Sequence, residues 1–132
     1  TPEVDVLIVE LGANDMLRGV DPAETRANLD AILAEARARD LPVLLVGFEA
    51  PGNFGPDYKA AFDAIYPDLA AQYGVALVPN FFAPLQALDD GTAETRARLL
   101  QPDGLHPTAT GVGVIVEAIG PALREVLKNV TP

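Results

Sequence analysis

The chain has 132 residues, 49% of them hydrophobic, which suffices for the core of one ordinary domain but not for two. It contains no cysteine, which excludes disulfides, thiolate metal sites and cysteine nucleophiles. Nine basic residues against nineteen acidic ones give a net charge of −10, which argues against nucleic-acid binding, and no apolar run is long enough for stable membrane insertion.

The first part of the chain predicts a strand, a helix and a second strand. Val4–Leu11 is almost continuously apolar and rich in β-branched residues, which predicts a parallel strand covered on both faces. Asp21 and Pro22 are typical helix-start residues, and the apolar spacing after them predicts a helix that ends near Arg39–Asp40. Val43–Gly47 predicts a second buried strand, which completes a β-α-β unit.

The second part continues the alternation of helices and strands. A helix is expected over Asp57–Gln72, ended by Gly74, and a short strand over Val75–Val78. Short helical turns are expected within Phe81–Gln101. The predicted core stripe of the long helix comprises Ala61, Phe62, Ile65, Leu69 and Tyr73.

A final helix is expected after Thr108, which would cap it, and Pro121 is expected to kink or divide it. Its predicted core face comprises Val112, Ile115 or Val116, Ile119, Leu123 and Val126. The whole pattern predicts a three-layer α/β/α domain with a mostly parallel sheet.

Two polar motifs lie where chemistry is expected in such a fold. Asn14 follows the first strand, and ligands bind beyond the carboxyl ends of parallel strands. His106 follows Asp103 by three residues, with Gly104 allowing a tight turn between them. A carboxylate beside an imidazole is the arrangement that activates a hydroxyl nucleophile, and a side-chain amide can stabilise an oxyanion. Asp-Gly is also a common turn and His-Pro a common helix entry, so the residues alone leave a structural role open.

The motifs resemble those of the SGNH, or GDSL-type, hydrolases. Val9–Asp15 is similar to the third conserved block of that family, and Asp103–Pro107 is similar to its last block. Between them, Leu17–Gly19, Ala50–Pro51 and Asn53–Tyr58 resemble the bacterial arylesterase, acyl-thioesterase and lysophospholipase branch. The resemblance covers essentially the whole chain and implies a flavodoxin-like SGNH hydrolase fold.

The resemblance also implies roles for individual residues. His106 would be the general base, Asp103 its orienting carboxylate and Asn14 the oxyanion donor, with no metal or cofactor. The residues that it places near the substrate are Gly12, Met16, Leu17, Phe48, Phe54 and Leu105. The substrate would be a small acyl ester or thioester, and a periplasmic or secreted location is favoured by analogy.

The chain departs from the family in one respect, because it contains no serine. Family members carry a Gly-Asp-Ser block on their first strand and a second block that completes the oxyanion hole. We therefore expect residues 1–132 to be the C-terminal part of a single hydrolase domain. Its partner would be an N-terminal fragment of the same protein that carries the serine nucleophile.

Two other hypotheses stay open at this point. An amino-terminal threonine can act as a nucleophile with its own amine as base, which would assign that role to Thr1. Alternatively, the chain is a non-catalytic binding or partner module on a flavodoxin-like scaffold, with the triad-like residues incidental. Hydrolysis of a short-chain aryl ester would distinguish these classes.

Overall fold

The computed structural model describes residues 4–128 and 130, and these form two compact units. The first unit comprises the described residues up to Asn80 together with those from Ala122 onward, and the second comprises Phe81–Pro121. Thr1, the alternative nucleophile, lies outside the described residues.

The first unit contains a parallel three-stranded sheet in the order β1-β2-β3. The strands are β1 at Leu7–Val9, β2 at Val43–Val46 and β3 at Ala76–Val78. Ile8 is aligned with Leu44, and Leu45 with Leu77. The predicted α/β class with a parallel sheet is therefore confirmed, and the three strands lie within the predicted segments but are shorter.

The central strand and the first strand differ in burial. All four residues of β2 are buried, as expected for a strand between two neighbours. In β1, by contrast, Ile8 is 48% exposed, and Leu11 just beyond the strand is 54% exposed. The prediction that this strand is covered on both faces is wrong for the described residues. Apolar content identifies surface that can be buried, not the element that covers it.

Two helices follow β1 in the first unit, α1 at Ala13–Arg18 and α2 at Pro22–Ala38. The Asp21 carboxylate accepts a hydrogen bond of 2.9 Å from the Ala23 N–H, which caps the amino end of α2. Pro22 occupies the first turn, where its missing N–H removes no helical hydrogen bond. The predicted start and end of α2 are confirmed.

The long helix predicted after β2 is divided into α3 at Pro56–Asp63 and α4 at Ile65–Tyr73, with a short 3-10 turn at Gly52–Phe54 before them. Pro67 explains the division, because its ring conflicts with the carbonyl of Asp63 and it donates no hydrogen bond there. Gly74 ends α4 in a left-handed conformation, as predicted.

The burial of this helix pair follows the predicted stripe only in part. Phe62, Ile65 and Leu69 are buried as predicted, whereas Tyr73 is half-buried and Ala61 is exposed. Tyr66 and Ala70 are buried, but neither was on the predicted stripe. The buried residues of both helices keep the i, i+3, i+4 spacing of one face across the break at Ala64, so the predicted stripe had the right face but was too narrow.

Helix α2 packs against α3 and α4, and polar contacts join the exposed margins of α2 and α4. The Tyr73 hydroxyl donates to the Asp30 carboxylate at 2.8 Å, and Arg26 forms an ion pair with Asp68. Exposed ion pairs contribute little, so the packing of α2 rests mainly on its buried apolar residues Leu29, Leu33 and Ala36.

The second unit contains α5 at Ala83–Leu88, α6 at Ala93–Leu99 and the first part of α7, which spans Ala109–Leu127. Its small core consists of Leu85, Leu99 and Ile115, with neighbouring apolar residues packed around them. An isolated antiparallel bridge joins Leu100 to Pro107 and closes the loop between α6 and α7. The predicted helical turns and the predicted irregular loop are confirmed.

The final helix corrects two details of the sequence prediction. Thr108 accepts a hydrogen bond from the Gly111 N–H at 3.2 Å, which confirms the cap. The helix continues through Pro121 and is not divided there. Ile115 is buried, but Val112 and Val116 are 47% and 61% exposed, so neither lies on a core face of the described chain.

Candidate active site

The first group of candidate residues lies in the segment that follows β1. Gly12 has a left-handed backbone with φ of 110°, and α1 begins at the next residue. The Asn14 side chain is exposed and makes no hydrogen bond to the described residues. It lines a depression of about 420 Å³, whose other lining residues include Gly12 and Asn28. Its amide is therefore free to bind a ligand.

Two buried side chains form hydrogen bonds with this segment. The Tyr66 hydroxyl donates to the carbonyl of Leu11 at 2.9 Å, and the Thr25 hydroxyl donates to the Asp15 carboxylate at 3.1 Å. Burial, followed by the charge of Asp15, raises the pKa of the Tyr66 hydroxyl. The hydroxyl therefore stays protonated at any ordinary pH and acts as the donor.

Tyr66 belongs to a row of aromatic side chains, which we call the aromatic row: Phe48, Tyr66, Phe62, Tyr58 and Phe54. Successive ring centroids in the row lie between 5.1 and 6.2 Å apart. At its outer end, Phe54 contacts the site of Gly19, where an added Cβ would lie 2.7 Å from the Phe54 ring. The row therefore contacts both ends of the segment that carries Asn14.

The predicted pocket residues of the first unit differ in accessibility. Leu17 and Phe54 are 41% and 43% exposed, so both can contact a ligand in the described structure. Met16 and Phe48 are buried, and Phe48 packs with its ring edge against Tyr66. A substrate-binding role for each of these four residues stays a prediction.

The second group of candidates lies in the loop between α6 and α7. His106 Nδ1 lies 2.7 Å from Asp103 Oδ2. The other carboxylate oxygen of Asp103 accepts hydrogen bonds from the backbone N–H groups of Leu105 and His106, at 2.9 and 3.0 Å. Gly104 has φ of 68°, the left-handed conformation that the tight turn requires. The structure thus brings the carboxylate and the imidazole together as predicted.

These contacts determine the charge of Asp103 and the tautomer of His106. The hydrogen bond from the imidazole, followed by those from the two backbone N–H groups, lowers the pKa of Asp103 to about 2. An ionised carboxylate can only accept, so Nδ1 of His106 carries the proton and Nε2 is the acceptor in the neutral ring. The His106 side chain is 71% exposed, so Nε2 is accessible to a reactant.

Gln101 closes the loop that carries this pair. Its backbone N–H donates to the His106 carbonyl at 2.7 Å, and its side-chain amide donates to the Pro107 carbonyl at 3.0 Å. Leu105, the pocket candidate of this loop, is 46% exposed. The sequence prediction missed Gln101. The only local signal for its role is its position two residues before the Asp-Gly turn.

The predicted residues therefore form two groups, Asn14 with its neighbours in the first unit and Asp103 with His106 in the second. Tyr66 and Thr25 were also missed, because their contacts with Leu11 and Asp15 join residues far apart in sequence. No spacing rule within one element reveals such contacts.

Comparison with known proteins supplies the family. The model of the family described as "GDSL-like Lipase/Acylhydrolase family" matches residues 1–114. The chain belongs to this GDSL-like hydrolase family. The motifs around Asn14 and His106 both lie inside the matched range, so the resemblance inferred from them is confirmed.

Two known proteins show what the chain is similar to along most of its length. Esterase TesA of Pseudomonas aeruginosa is 37% identical over 122 residues, which cover 92% of this chain and 57% of the relative. Thioesterase 1/protease 1/lysophospholipase L1 of Escherichia coli K12 is 32% identical over 123 residues, covering 93% and 55%. The chain therefore spans a little more than half the length of these relatives.

A solved structure agrees with the fold. The psychrotrophic esterase EstA from Pseudoalteromonas sp., inhibited by monoethylphosphonate, aligns with a TM-score of 0.81 at 26% identity. The alignment covers 96% of this GDSL-like chain and 65% of EstA. This similarity confirms the predicted SGNH hydrolase fold class.

Two further findings concern ligands and membranes. Within residues 4–128 and 130, no three histidine, cysteine, aspartate or glutamate side chains are grouped so that they could hold a metal ion. None of the helices in that part of this GDSL-like chain is long and apolar enough to cross a membrane.

Proposed function

We propose that the chain supplies the acid-base pair and one oxyanion donor of a serine ester hydrolase. The observation that carries this proposal is the 2.7 Å contact between His106 Nδ1 and Asp103 Oδ2, which leaves Nε2 of an exposed imidazole as the proton acceptor. An imidazole held in this tautomer is the general base that a serine hydroxyl requires. Esterases and a thioesterase among the relatives support the reaction class.

The proposed reaction is acyl transfer in two steps. A serine hydroxyl attacks the carbonyl carbon of the ester while His106 Nε2 accepts its proton, and the Asn14 amide donates to the oxyanion that forms. The oxyanion then collapses, His106 returns the proton to the alcohol or thiol leaving group, and an acyl-serine remains. In the second step His106 Nε2 accepts a proton from water, and the water oxygen attacks the acyl carbon. The bond between the acyl carbon and the serine oxygen then breaks, His106 returns the proton to the serine, and the carboxylic acid leaves. Asp103 stabilises the imidazolium in both steps.

We infer that the serine comes from a segment of the same protein outside this chain, since these 132 residues contain none. An apolar groove of about 940 Å³ between the start of β1 and α2 supports this inference. Val4, Leu7, Ile32 and Leu41 are among its lining residues. Among the described residues β1 pairs only with β2, so its other edge can accept an added strand.

The substrate that we propose is a small acyl ester or thioester. Two exposed apolar side chains of the first unit, Leu17 and Phe54, support binding of an acyl group. Leu105, exposed in the second unit, stays a pocket candidate on the family resemblance alone. The mechanism needs no cofactor, because imidazole, carboxylate, amide and hydroxyl groups supply every proton transfer and hydrogen bond in it.

The test uses the serine-bearing protein, in which this chain is joined to the serine-bearing segment. We expect it to hydrolyse p-nitrophenyl acetate and p-nitrophenyl butyrate and to form a covalent adduct with a fluorophosphonate, detected by intact mass. His106→Ala should abolish turnover and adduct formation without changing the circular dichroism spectrum.

Asn28→Ala is the control for replacing an exposed polar side chain by alanine. Asn28 is exposed and lines the same depression as Asn14, but it has no part in the mechanism. Absence of both turnover and adduct in the parent protein would overturn the hydrolase proposal and leave the non-catalytic binding module. Full activity in His106→Ala would remove the imidazole from the mechanism.

A further inference from the structure

The segment Leu11–Asp15 is held by two hydroxyl groups that take no part in the proposed reaction. Tyr66 binds the Leu11 carbonyl and Thr25 binds the Asp15 carboxylate, so the two contacts flank Asn14 on both sides in sequence. Tyr66 is 0% exposed and Thr25 is 1% exposed. Both donors are therefore removed from bulk water, while the contacts themselves are half-buried on the side of Leu11 and Asp15.

The backbone passes very close to the Tyr66 hydroxyl. A Cβ placed on Gly12 would lie 2.3 Å from the Tyr66 oxygen and 3.5 Å from Thr25 Cγ2. Only glycine allows both this approach and a φ of 110°. The Tyr66 and Thr25 side chains thus pack directly against Gly12, two residues before Asn14.

The position of the Tyr66 hydroxyl is itself fixed by packing. Its ring meets Phe48 edge-on at 6.2 Å and Phe62 at 5.9 Å, with interplanar angles of 69° and 65°. Both neighbours are buried and lie in the core of the first unit. Because close-packed aromatic rings do not shift independently, the hydroxyl is a rigid reference point for the Leu11 carbonyl.

We propose that Tyr66 and Thr25 are positioning residues that orient Asn14 toward the oxyanion. This inference rests on the proposed function. An oxyanion donor must lie within hydrogen-bond distance of the oxygen that develops charge, and small displacements of such groups reduce the rate steeply. The two contacts restrict the chain on either side of Asn14, so they act on the amide without touching the substrate.

Tyr58 offers a matched control in the same aromatic row. Tyr58 lies two positions from Tyr66 in the row, and its ring stacks on Phe62 at 6.0 Å. Its buried hydroxyl has no hydrogen-bond partner among the described residues. Tyr58→Phe and Tyr66→Phe remove the same atom from the same row. Only the Tyr66 change removes a contact with the Asn14 segment.

The first experiment measures kcat and KM of the serine-bearing protein for p-nitrophenyl butyrate. Tyr66→Phe and Thr25→Val should each lower kcat about tenfold with little change in KM, whereas Tyr58→Phe and the hydroxyl-retaining Thr25→Ser should stay within about twofold of the parent. In an Asn14→Ala background, Tyr66→Phe should cause no further loss. An equal further loss there, or equal effects of the two tyrosine changes, would overturn the positioning role.

The second experiment does not depend on turnover. ¹⁵N relaxation of the Asn14 backbone and side-chain amides should show increased motion in Tyr66→Phe and parent-like motion in Tyr58→Phe. Unchanged Asn14 relaxation in Tyr66→Phe would overturn the inference even in an active enzyme. If the parent protein hydrolyses no ester, the proposed function fails. Increased Asn14 motion in Tyr66→Phe would then still support the inference that the Tyr66 contact orders Asn14.

Discussion

His106 and Asp103 are joined by a side-chain contact and a backbone contact at once. The imidazole Nδ1 lies 2.7 Å from one oxygen of the carboxylate, while the His106 N–H donates to the other at 3.0 Å. The same residue therefore both orients the carboxylate and is oriented by it. Asp103, Leu105 and His106 make all of these contacts, with Gly104 between them in the left-handed conformation. Because they lie within four consecutive positions, the pair could be predicted from the sequence.

We predict that His106→Ala raises the pKa of Asp103 from about 2 toward its ordinary value, because the imidazole makes the largest contribution to lowering it. The pKa should stay below the ordinary value, since the two backbone hydrogen bonds remain. ¹³C NMR titration of the Asp103 carboxyl group measures this directly. Asp89 is the control, because Gly91 and Arg96 lower its pKa without any contact with His106.

The sign of the pH dependence follows from the same shift. Because the Asp103 pKa is lower in the folded state than in the unfolded state, the ionised carboxylate stabilises the fold above about pH 4. This contribution is lost as the pH falls toward 2. A midpoint for Asp103 that is unchanged by His106→Ala would contradict the assigned cause.

We predict that Asn14→Ala lowers kcat of the serine-bearing protein by about 10²–10³, the usual effect of losing one oxyanion donor. KM and the free energy of unfolding should change little, because the side chain is exposed and unbonded in the described structure. Steady-state kinetics with p-nitrophenyl butyrate, beside Asn28→Ala, measures the effect. A rise in KM at constant kcat would indicate ground-state binding instead.

Local signals account for what the sequence predicted. The Asp21 cap, the Gly74 end and the Asp103–His106 turn each depend on residues within a few positions, so all three were found. One error was local, because Pro67, which divides the helix predicted over Asp57–Gln72, was not recognised as a break. Errors also arose where the outcome depends on distant partners. Val116 is exposed although its spacing fits an apolar face, because periodicity identifies a face without identifying what covers it. Tyr66 was missed for a similar reason, since its partner lies 55 residues away.

We predict that Gly12→Ala destabilises the protein by about 2–4 kcal/mol, because alanine is strained at φ of 110° and its Cβ would meet the Tyr66 oxygen at 2.3 Å. Adding Tyr66→Phe should recover part of the loss by removing that oxygen. Urea unfolding of the single and double variants gives the coupling free energy. Strict additivity would show that the clash does not contribute and that backbone strain alone is responsible.

The two ends of the aromatic row should respond differently to truncation. Phe62 is fully buried, so Phe62→Ala should cost about 3–5 kcal/mol of unfolding free energy. Phe54 is 43% exposed, so Phe54→Ala should cost clearly less. If Phe54 contacts the acyl group as proposed, its truncation should raise KM for p-nitrophenyl butyrate more than for the acetate. Urea unfolding and steady-state kinetics on both variants test the two effects separately. A parent-like KM for both esters in Phe54→Ala would remove Phe54 from the proposed pocket and leave it as a packing residue against Gly19.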